Sequence, residues 1–137
     1  MIGISNKTIY AVSALQELAT ISDNELLKIK DIASNASIPR NFLEQILLSL
    51  KKQGFLTSIK GANGGYKLAK SLKDITLKDV VITLESDIFS SIYNPQNQSL
   101  NLFWADFNNR ANELFDIPLS ELQNYQNQAN KTLNYSI

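Results

Sequence analysis

Two groups of residues in this chain have the side chains and spacing needed to contact duplex nucleic acid. The first group carries side chains of the kinds that hydrogen-bond base edges, and it comprises Arg40, Asn41, Glu44 and Gln45. The second group, residues 60–66, places Lys60 beside glycines that permit a tight hairpin. A lysine in such a hairpin can contact phosphate. The two groups together predict a surface that touches both bases and backbone.

The distribution of charge supports this interpretation, although the 137-residue chain has a net charge of zero. From Gln45 to Lys73, with both residues included, there are six lysines and no carboxylate. Residues 1–85 carry 11 basic and 8 acidic side chains, a net charge of +3, whereas residues 86–137 carry 2 and 5, a net charge of −3. A one-sided basic segment is the electrostatic footprint expected of phosphate contact. We therefore expect double-stranded DNA as a partner of the N-terminal part.

Several features that support catalysis or membrane insertion are absent from the sequence. Without cysteine or histidine, the chain lacks a thiolate nucleophile, the commonest general base and the ligands of ordinary iron–sulfur and zinc sites. Neither the GxxxxGK[ST] nor the GxGxxG phosphate-binding motif occurs. No apolar run approaches about 18 residues, and no signal-peptide pattern precedes Ser5. We expect a cytoplasmic protein without membrane contact, metal, cofactor or enzymatic activity.

Hydrophobic periodicity predicts six helices and one hairpin. The first helix starts at Ser5, and a short second helix runs from about Lys28 to Asn35. Residues 37–39 separate it from the third helix, with Ser37 suited to capping that helix and Pro39 to its first turn. The third helix ends at Gly54, and its predicted buried face comprises Phe42, Leu43, Ile46, Leu47 and Leu50.

Two short strands, residues 55–59 and 65–68, are predicted to enclose a glycine-rich loop. The loop residues predicted to allow positive φ are Gly61, Asn63, Gly64 and Gly65. Residues 76–79 then form a capping box that opens a fourth helix. A fifth helix runs from about residue 98 to 115, and a last helix from about 119 to 129 is followed by a frayed tail.

This order of elements predicts a mainly α fold of the winged helix-turn-helix type, with a two-stranded wing. We divide the chain into a winged helix-turn-helix domain at 1–85, a polar loop at 86–97, and a dimerisation helix with a C-terminal helix at 98–137. The fifth helix is the long dimerisation helix, because a broad apolar face needs a partner to cover it. That face comprises Leu100, Phe103, Trp104, Phe107, Ala111 and Leu114.

A set of short motifs extends over nearly the whole chain. They are Tyr10-Ala11, Ile32-Ala33, Ile38-Pro39, Phe42-Leu43-Glu44-Gln45, Lys60-Gly61, Gly64-Gly65-Tyr66 and Ile117-Pro-Leu-Ser-Glu-Leu122. This set resembles the Rrf family of bacterial winged-helix transcriptional regulators, whose types include IscR, NsrR and CymR. The combination of the Leu-Glu-Gln segment with the wing motif is specific to that family, whereas a helix-turn-helix alone is far less so.

The resemblance implies a homodimeric, sequence-specific DNA-binding transcriptional regulator that acts as a repressor. It implies base and backbone contacts on the third helix at Pro39, Asn41, Phe42, Glu44 and Gln45. It also places Lys60 where the family has a minor-groove arginine. Family members that hold an iron–sulfur cluster carry cysteines around the start of the fifth helix, and this chain has none. It therefore resembles the cluster-free, CymR-like branch.

Further DNA contacts are expected at the start of the first helix, at the end of the third helix and in the wing. These candidates are Ser5, Lys7, Tyr10, Lys51, Lys60, Gly61, Asn63, Gly64, Gly65 and Tyr66. Structural interpretations stay open for some of them. Lys51 can complement a helix C-terminus, and the glycines can simply allow a tight hairpin.

Two alternatives for the control of this protein stay open. One is a protein partner that docks on the dimer and changes its DNA affinity, as the resemblance to CymR-type repressors allows. The other is a small-molecule effector bound between the dimerisation helix and the winged domain. In either case the regulator is controlled mainly by its partner or effector, and DNA binding is secondary.

Overall fold

The computed structural model describes residues 3–86, 88 and 96–135. In chain order its elements are α1 (Asn6–Leu18), α2 (Ile29–Ala36), α3 (Arg40–Lys52), β1 (Leu56–Ile59), β2 (Gly65–Leu68), α4 (Leu77–Leu84), α5 (Gln98–Phe115) and α6 (Leu122–Tyr135). The predicted mainly α, winged helix-turn-helix fold is confirmed. Most of the polar loop predicted at 86–97 lies outside the described residues. Among the helices described, none combines the length and hydrophobicity needed to cross a membrane.

A hydrophobic core forms where α1, α3 and α4 pack together. The buried residues of α3 are Leu43, Ile46, Leu47 and Leu50, as predicted. The prediction that Phe42 joins them is wrong, because its side chain is 45% exposed. One residue turns a helix by about 100°, so Phe42 lies beside the buried stripe. It packs instead against Tyr10 of α1, with the ring centroids 6.3 Å apart.

Residues 37–39 form the whole connection between α2 and α3. Ser37 has left-handed backbone angles (φ 55°, ψ 45°), and the Ile38 amide donates to the Ala33 carbonyl at 2.9 Å. This bond satisfies a terminal carbonyl of α2, and the buried Ile38 side chain holds the turn against the core. Ser37 therefore ends α2 instead of capping α3. Pro39 occupies the N-cap position of α3 instead of its first turn.

The wing is an antiparallel hairpin whose strands pair up to Ile59 and Gly65. Leu27, just before α2, pairs with the other edge of β2. Its amide donates to the Tyr66 carbonyl at 3.0 Å, and its carbonyl accepts the Tyr66 amide at 2.7 Å. The start of α2 is thereby held beside the wing. Gly54 (φ 80°) directly follows the C-cap of α3, as the predicted helix end requires.

The chain after α5 is pinned to the chain before α4. The Leu119 amide donates to the Ile75 carbonyl at 2.8 Å, and the Leu77 amide donates to the Ile117 carbonyl at 2.8 Å. Leu119 is buried in the core. The C-terminal end of α5 is therefore anchored to the winged part, yet no residue of α5 itself is fully buried.

The last helix differs from its prediction at both ends. It opens with a 3₁₀ turn at Leu119–Glu121, and α6 then continues to Tyr135 instead of fraying after residue 129. Within this helix, Gln123 Nε2 donates to Asn127 Oδ1 at 3.1 Å across one turn. The asparagine and glutamine residues of this segment therefore do not end the helix at residue 129.

Candidate nucleic-acid interface

A basic groove lies between the start of α2, the exposed side of α3 and the wing. It has a volume of about 560 Å³. Its charged lining consists of one carboxylate, Glu44, and five cations: Lys28, Lys30, Arg40, Lys51 and Lys60. Such an excess of positive charge in a concave surface favours a polyanion, and its field is strengthened by the low-dielectric walls.

The exposed side of α3 carries the polar residues that the sequence singled out. Arg40, Asn41, Glu44 and Gln45 are all exposed, whereas the opposite side of the helix is buried in the core. The packing of α3 thus fixes which side chains face outward. The four predicted base-contacting residues are brought together on one surface at the N-terminal half of the helix.

The tip of the wing depends on glycine at two positions for different reasons. Gly61 has φ 111°, a conformation that side chains rarely allow. Gly64 has no positive φ, but a Cβ there would overlap the Ile59 carbonyl oxygen. The Gly64 amide donates to the Gly61 carbonyl at 3.0 Å and closes the turn. The predicted positive φ at Asn63 and Gly64 is therefore wrong, since close packing of the turn is what requires glycine at 64.

Gly65 and Tyr66 join the wing to the start of α2. A Cβ on Gly65 would lie 2.6 Å from the Leu27 carbonyl oxygen, so only glycine permits the close approach of that segment. Exposed Lys60 sits immediately before this constrained turn. The backbone of the tip therefore presents Lys60 from a defined position beside the groove.

Lys51 connects the end of α3 to the wing. Its Nζ donates to Ser58 Oγ at 2.6 Å, while the side chain stays exposed. An ammonium group has three donors, so this bond leaves Lys51 able to contact phosphate as well. Its predicted alternative role, complementing the C-terminal end of α3, is compatible with its place in the last turn.

Lys28 and Lys30 are groove residues that the sequence prediction missed. They lie at the N-cap and in the first turn of α2, and both are exposed. Cations at a helix N-terminus are unfavourable for the helix dipole. Two lysines at this end of a helix therefore have no helix-stabilising role, and this is the signal that would have pointed to a contact with an anion.

The start of α1 is tied to the end of α4 through Glu85. Glu85 Oε1 accepts the Ser5 amide and the Ser5 hydroxyl, both at 2.7 Å, and the Thr8 hydroxyl at 2.8 Å. The pKa of Glu85 is held below its usual value, mainly by the hydrogen bond from the Ser5 hydroxyl and next by the one from the Ser5 amide. Ser5 stands at the predicted N-cap, but it makes no side-chain capping bond to α1.

This arrangement bears on the three DNA contacts predicted near the start of α1. Both donors of Ser5 are engaged with Glu85, whereas Lys7 is exposed and Tyr10 is half-buried against Phe42. Lys7 is therefore the best placed of the three to contact phosphate. The DNA contacts of Ser5, Lys7 and Tyr10 stay predictions.

The face predicted for dimerisation is largely open to solvent in the single chain. Its exposed members are Leu100 at 46%, Phe103 at 59%, Trp104 at 50%, Phe107 at 57% and Leu114 at 67%, while Ala111 is half-buried. The Trp104 ring makes edge-on contacts with Phe103 and Phe107, at centroid distances of 5.0 and 5.7 Å. These aromatic rings form a contiguous apolar cluster.

A second concave region lies away from the basic groove. It has a volume of about 840 Å³ and is lined by the end of α1, the segment after β2 and the start of α6. The effector pocket predicted beside the dimerisation helix involves α5, which does not contribute to this lining. The effector and its pocket stay predictions.

A helix-turn-helix, a hairpin wing and a basic groove between them define a winged-helix DNA-binding protein. Within this class the chain belongs to the Rrf2 family, described as an iron-dependent transcriptional regulator, which matches residues 4–124. The membership predicted from the short motifs is thereby confirmed. Proteins of this family are transcriptional regulators and not enzymes.

Individual relatives agree with this assignment. The chain is 39% identical to the transcriptional regulator NsrR of Bacillus licheniformis over 84 residues, which cover 61% of this chain and 59% of that protein. It thus aligns with less than two thirds of that relative's length. Its structure is similar to that of CymR, the global cysteine regulator of B. subtilis, with a TM-score of 0.77 and 28% identity over 91% and 98% of the two chains. It is also similar to that of T. potens IscR, with a TM-score of 0.72 and 27% identity over 92% of this chain and 89% of that one.

Proposed function

We propose that this protein is a homodimeric, sequence-specific DNA-binding transcriptional regulator that acts as a repressor. The observation that carries the proposal is the basic groove, in which five cations from α2, α3 and the wing surround a single carboxylate. Phosphate contacts supply most of the affinity of such proteins for DNA, and base contacts supply the specificity. The groove and the adjacent polar surface of α3 provide both kinds of contact.

In the proposed complex, α3 enters the major groove with its N-terminal end foremost. Asn41 and Gln45 are suited to adenine, because an amide can bond its N6 and N7 together. Glu44 can accept a hydrogen bond from cytosine and disfavours bases that lack a donor there. Lys60 at the wing tip contacts the backbone or an adjacent minor groove. As a more strongly hydrated charge than arginine, lysine discriminates groove width less sharply.

The dimer in this proposal is built on α5. On the predicted dimerisation face of that helix, five large apolar side chains are 46–67% exposed in the single chain, and three of them form an aromatic cluster. A contiguous apolar surface of this kind is unusual on a monomer. A two-fold contact between equivalent helices covers it on both protomers at once. Two winged domains then face two half-sites of one operator.

Binding to the DNA upstream of the protein's own gene is expected to be specific and strongly salt-dependent. Each neutralised phosphate contributes about 0.9 to the slope of log affinity against log salt concentration. Fluorescence anisotropy with that duplex and with a random duplex, over a series of salt concentrations, measures both effects. Half-sites are expected about one helical turn apart, or a multiple of it. A flat salt response, or equal affinity for both duplexes, contradicts the proposed function.

We further propose that the regulatory signal does not act through an iron–sulfur cluster, although the family is described as iron-dependent. Cysteine thiolates hold such clusters, with histidine as an occasional substitute. The chain contains neither residue. The described residues also contain no group of three or more carboxylates close enough to hold a metal ion. The donor set therefore does not fit a cluster.

Protein purified without oxygen is accordingly expected to be colourless. Iron and acid-labile sulfide should be absent on chemical analysis, and nitric oxide should leave the DNA affinity unchanged, because no cluster is present to react. A brown preparation with stoichiometric iron and sulfide would show that the cluster-free assignment is wrong. The DNA-binding proposal does not depend on that result.

A further inference from the structure

Leu48 occupies an unusual place for a leucine on α3. It is 53% exposed. It follows Glu44 by four residues and Gln45 by three, so it lies beside both on the exposed side of the helix. The buried stripe formed by Leu43, Ile46, Leu47 and Leu50 faces the other way. Leu48 therefore contributes little to the core and extends the surface that carries the polar residues.

A second exposed apolar side chain lies in the same groove. Ile59, at the end of β1, is 58% exposed, and both Leu48 and Ile59 line the basic groove. Lys51 bonds Ser58 across the space between α3 and β1, so the helix and the strand that carry these residues are held together. Lys51 and Lys60 flank the apolar pair with positive charge. The charge selects a polyanionic occupant, and Leu48 and Ile59 give that occupant an apolar surface to contact.

The chemistry of DNA limits what an apolar side chain on α3 can recognise. Leucine neither donates nor accepts hydrogen bonds, so it cannot distinguish the polar edges of the bases. In the major groove the C5-methyl group of thymine is the apolar group that varies with sequence. We propose that Leu48 recognises a thymine C5-methyl group in the operator, with Ile59 packing against the adjoining sugar. This inference rests on the proposed DNA-binding function and assigns a specificity determinant within it.

Removal of a single methyl group tests the proposal. The probe is a duplex that the wild-type protein itself selects from a random library, with each thymine replaced in turn by deoxyuridine. At one position in each half-site the wild-type protein is expected to lose about fourfold in affinity, the factor corresponding to one methyl group removed from water. Replacement at the other thymines should have a smaller effect.

The Leu48→Ala variant completes the test. It is expected to bind the thymine duplex more weakly and to bind thymine and deoxyuridine equally at the sensitive position. Alanine is a good helix former, so α3 should be retained, which circular dichroism can verify. Leu102→Ala is the matched control, because Leu102 is a 66% exposed leucine on α5, outside the groove. This control should keep the fourfold discrimination.

Several outcomes decide between the possibilities. If no thymine is sensitive to loss of its methyl group, or if Leu48→Ala keeps the wild-type discrimination, the role assigned to Leu48 is overturned while DNA binding stands. If Ile59→Ala removes the discrimination and Leu48→Ala does not, the methyl group is recognised by the wing, which also overturns it. Failure to select any duplex from the library contradicts the proposed function itself.

Discussion

Trp104→Asp is expected to separate the two protomers and to reduce operator binding by about 10²–10⁴-fold, the factor that two linked binding modules typically provide. Trp104 is half-exposed in the single chain and touches the rings of both Phe103 and Phe107. In a dimer built on α5 a carboxylate at its position would be buried without a partner, and such burial is strongly unfavourable. Sedimentation velocity measures the change in mass, and anisotropy measures the change in affinity.

Leu102→Asp provides the matched control for this experiment. Leu102 is 66% exposed on the same helix, two residues from Trp104 and therefore about 200° around the helix axis. The control variant should stay dimeric and keep its operator affinity. A Trp104→Asp protein that remains dimeric, or a monomer that binds the operator as tightly as the wild type, would show that α5 does not have the role assigned to it.

The local elements were predictable because their signals are local. Helical spacing of Leu43, Ile46, Leu47 and Leu50 predicts the buried face of α3, and the structure confirms it. The capping box at Thr76 is likewise confirmed. It was predictable because its two bonds join residues only three positions apart. The wing was predictable from two short apolar runs separated by a glycine-rich turn. Each of these features depends on neighbours in the sequence.

The features that the sequence did not predict depend on distant contacts or on details of backbone packing. Lys28 and Lys30 enter the basic groove because Leu27 pairs with Tyr66 in the wing, a contact between segments far apart in the chain. Glu85 likewise meets Ser5 across 80 positions. Residue type alone also does not show whether a wing glycine serves a positive φ or a close approach. The candidate site was thus predicted in its helix and wing parts and missed at α2.

The other large effect is expected for the residues proposed to contact bases. Asn41→Ala and Gln45→Ala should each reduce the difference in binding free energy between operator and random DNA by about 1–3 kcal/mol, the value of a good bidentate base contact. Both side chains are exposed on α3, so their removal should not disturb the core. Competition anisotropy with a selected operator and a random duplex gives the specificity ratio directly.

Lys60→Ala is the matched comparison for these variants, because Lys60 lies in the same groove but on the wing. A lysine that contacts phosphate acts on every sequence alike. Its removal should therefore weaken binding to operator and random DNA equally and lower the salt slope by about one. If Asn41→Ala weakens binding to both duplexes equally, Asn41 contacts the DNA backbone instead of recognising a base. If Lys60→Ala leaves the salt slope and the affinity unchanged, the wing does not contact DNA. The contacts with the duplex must then come from α2 and α3 alone.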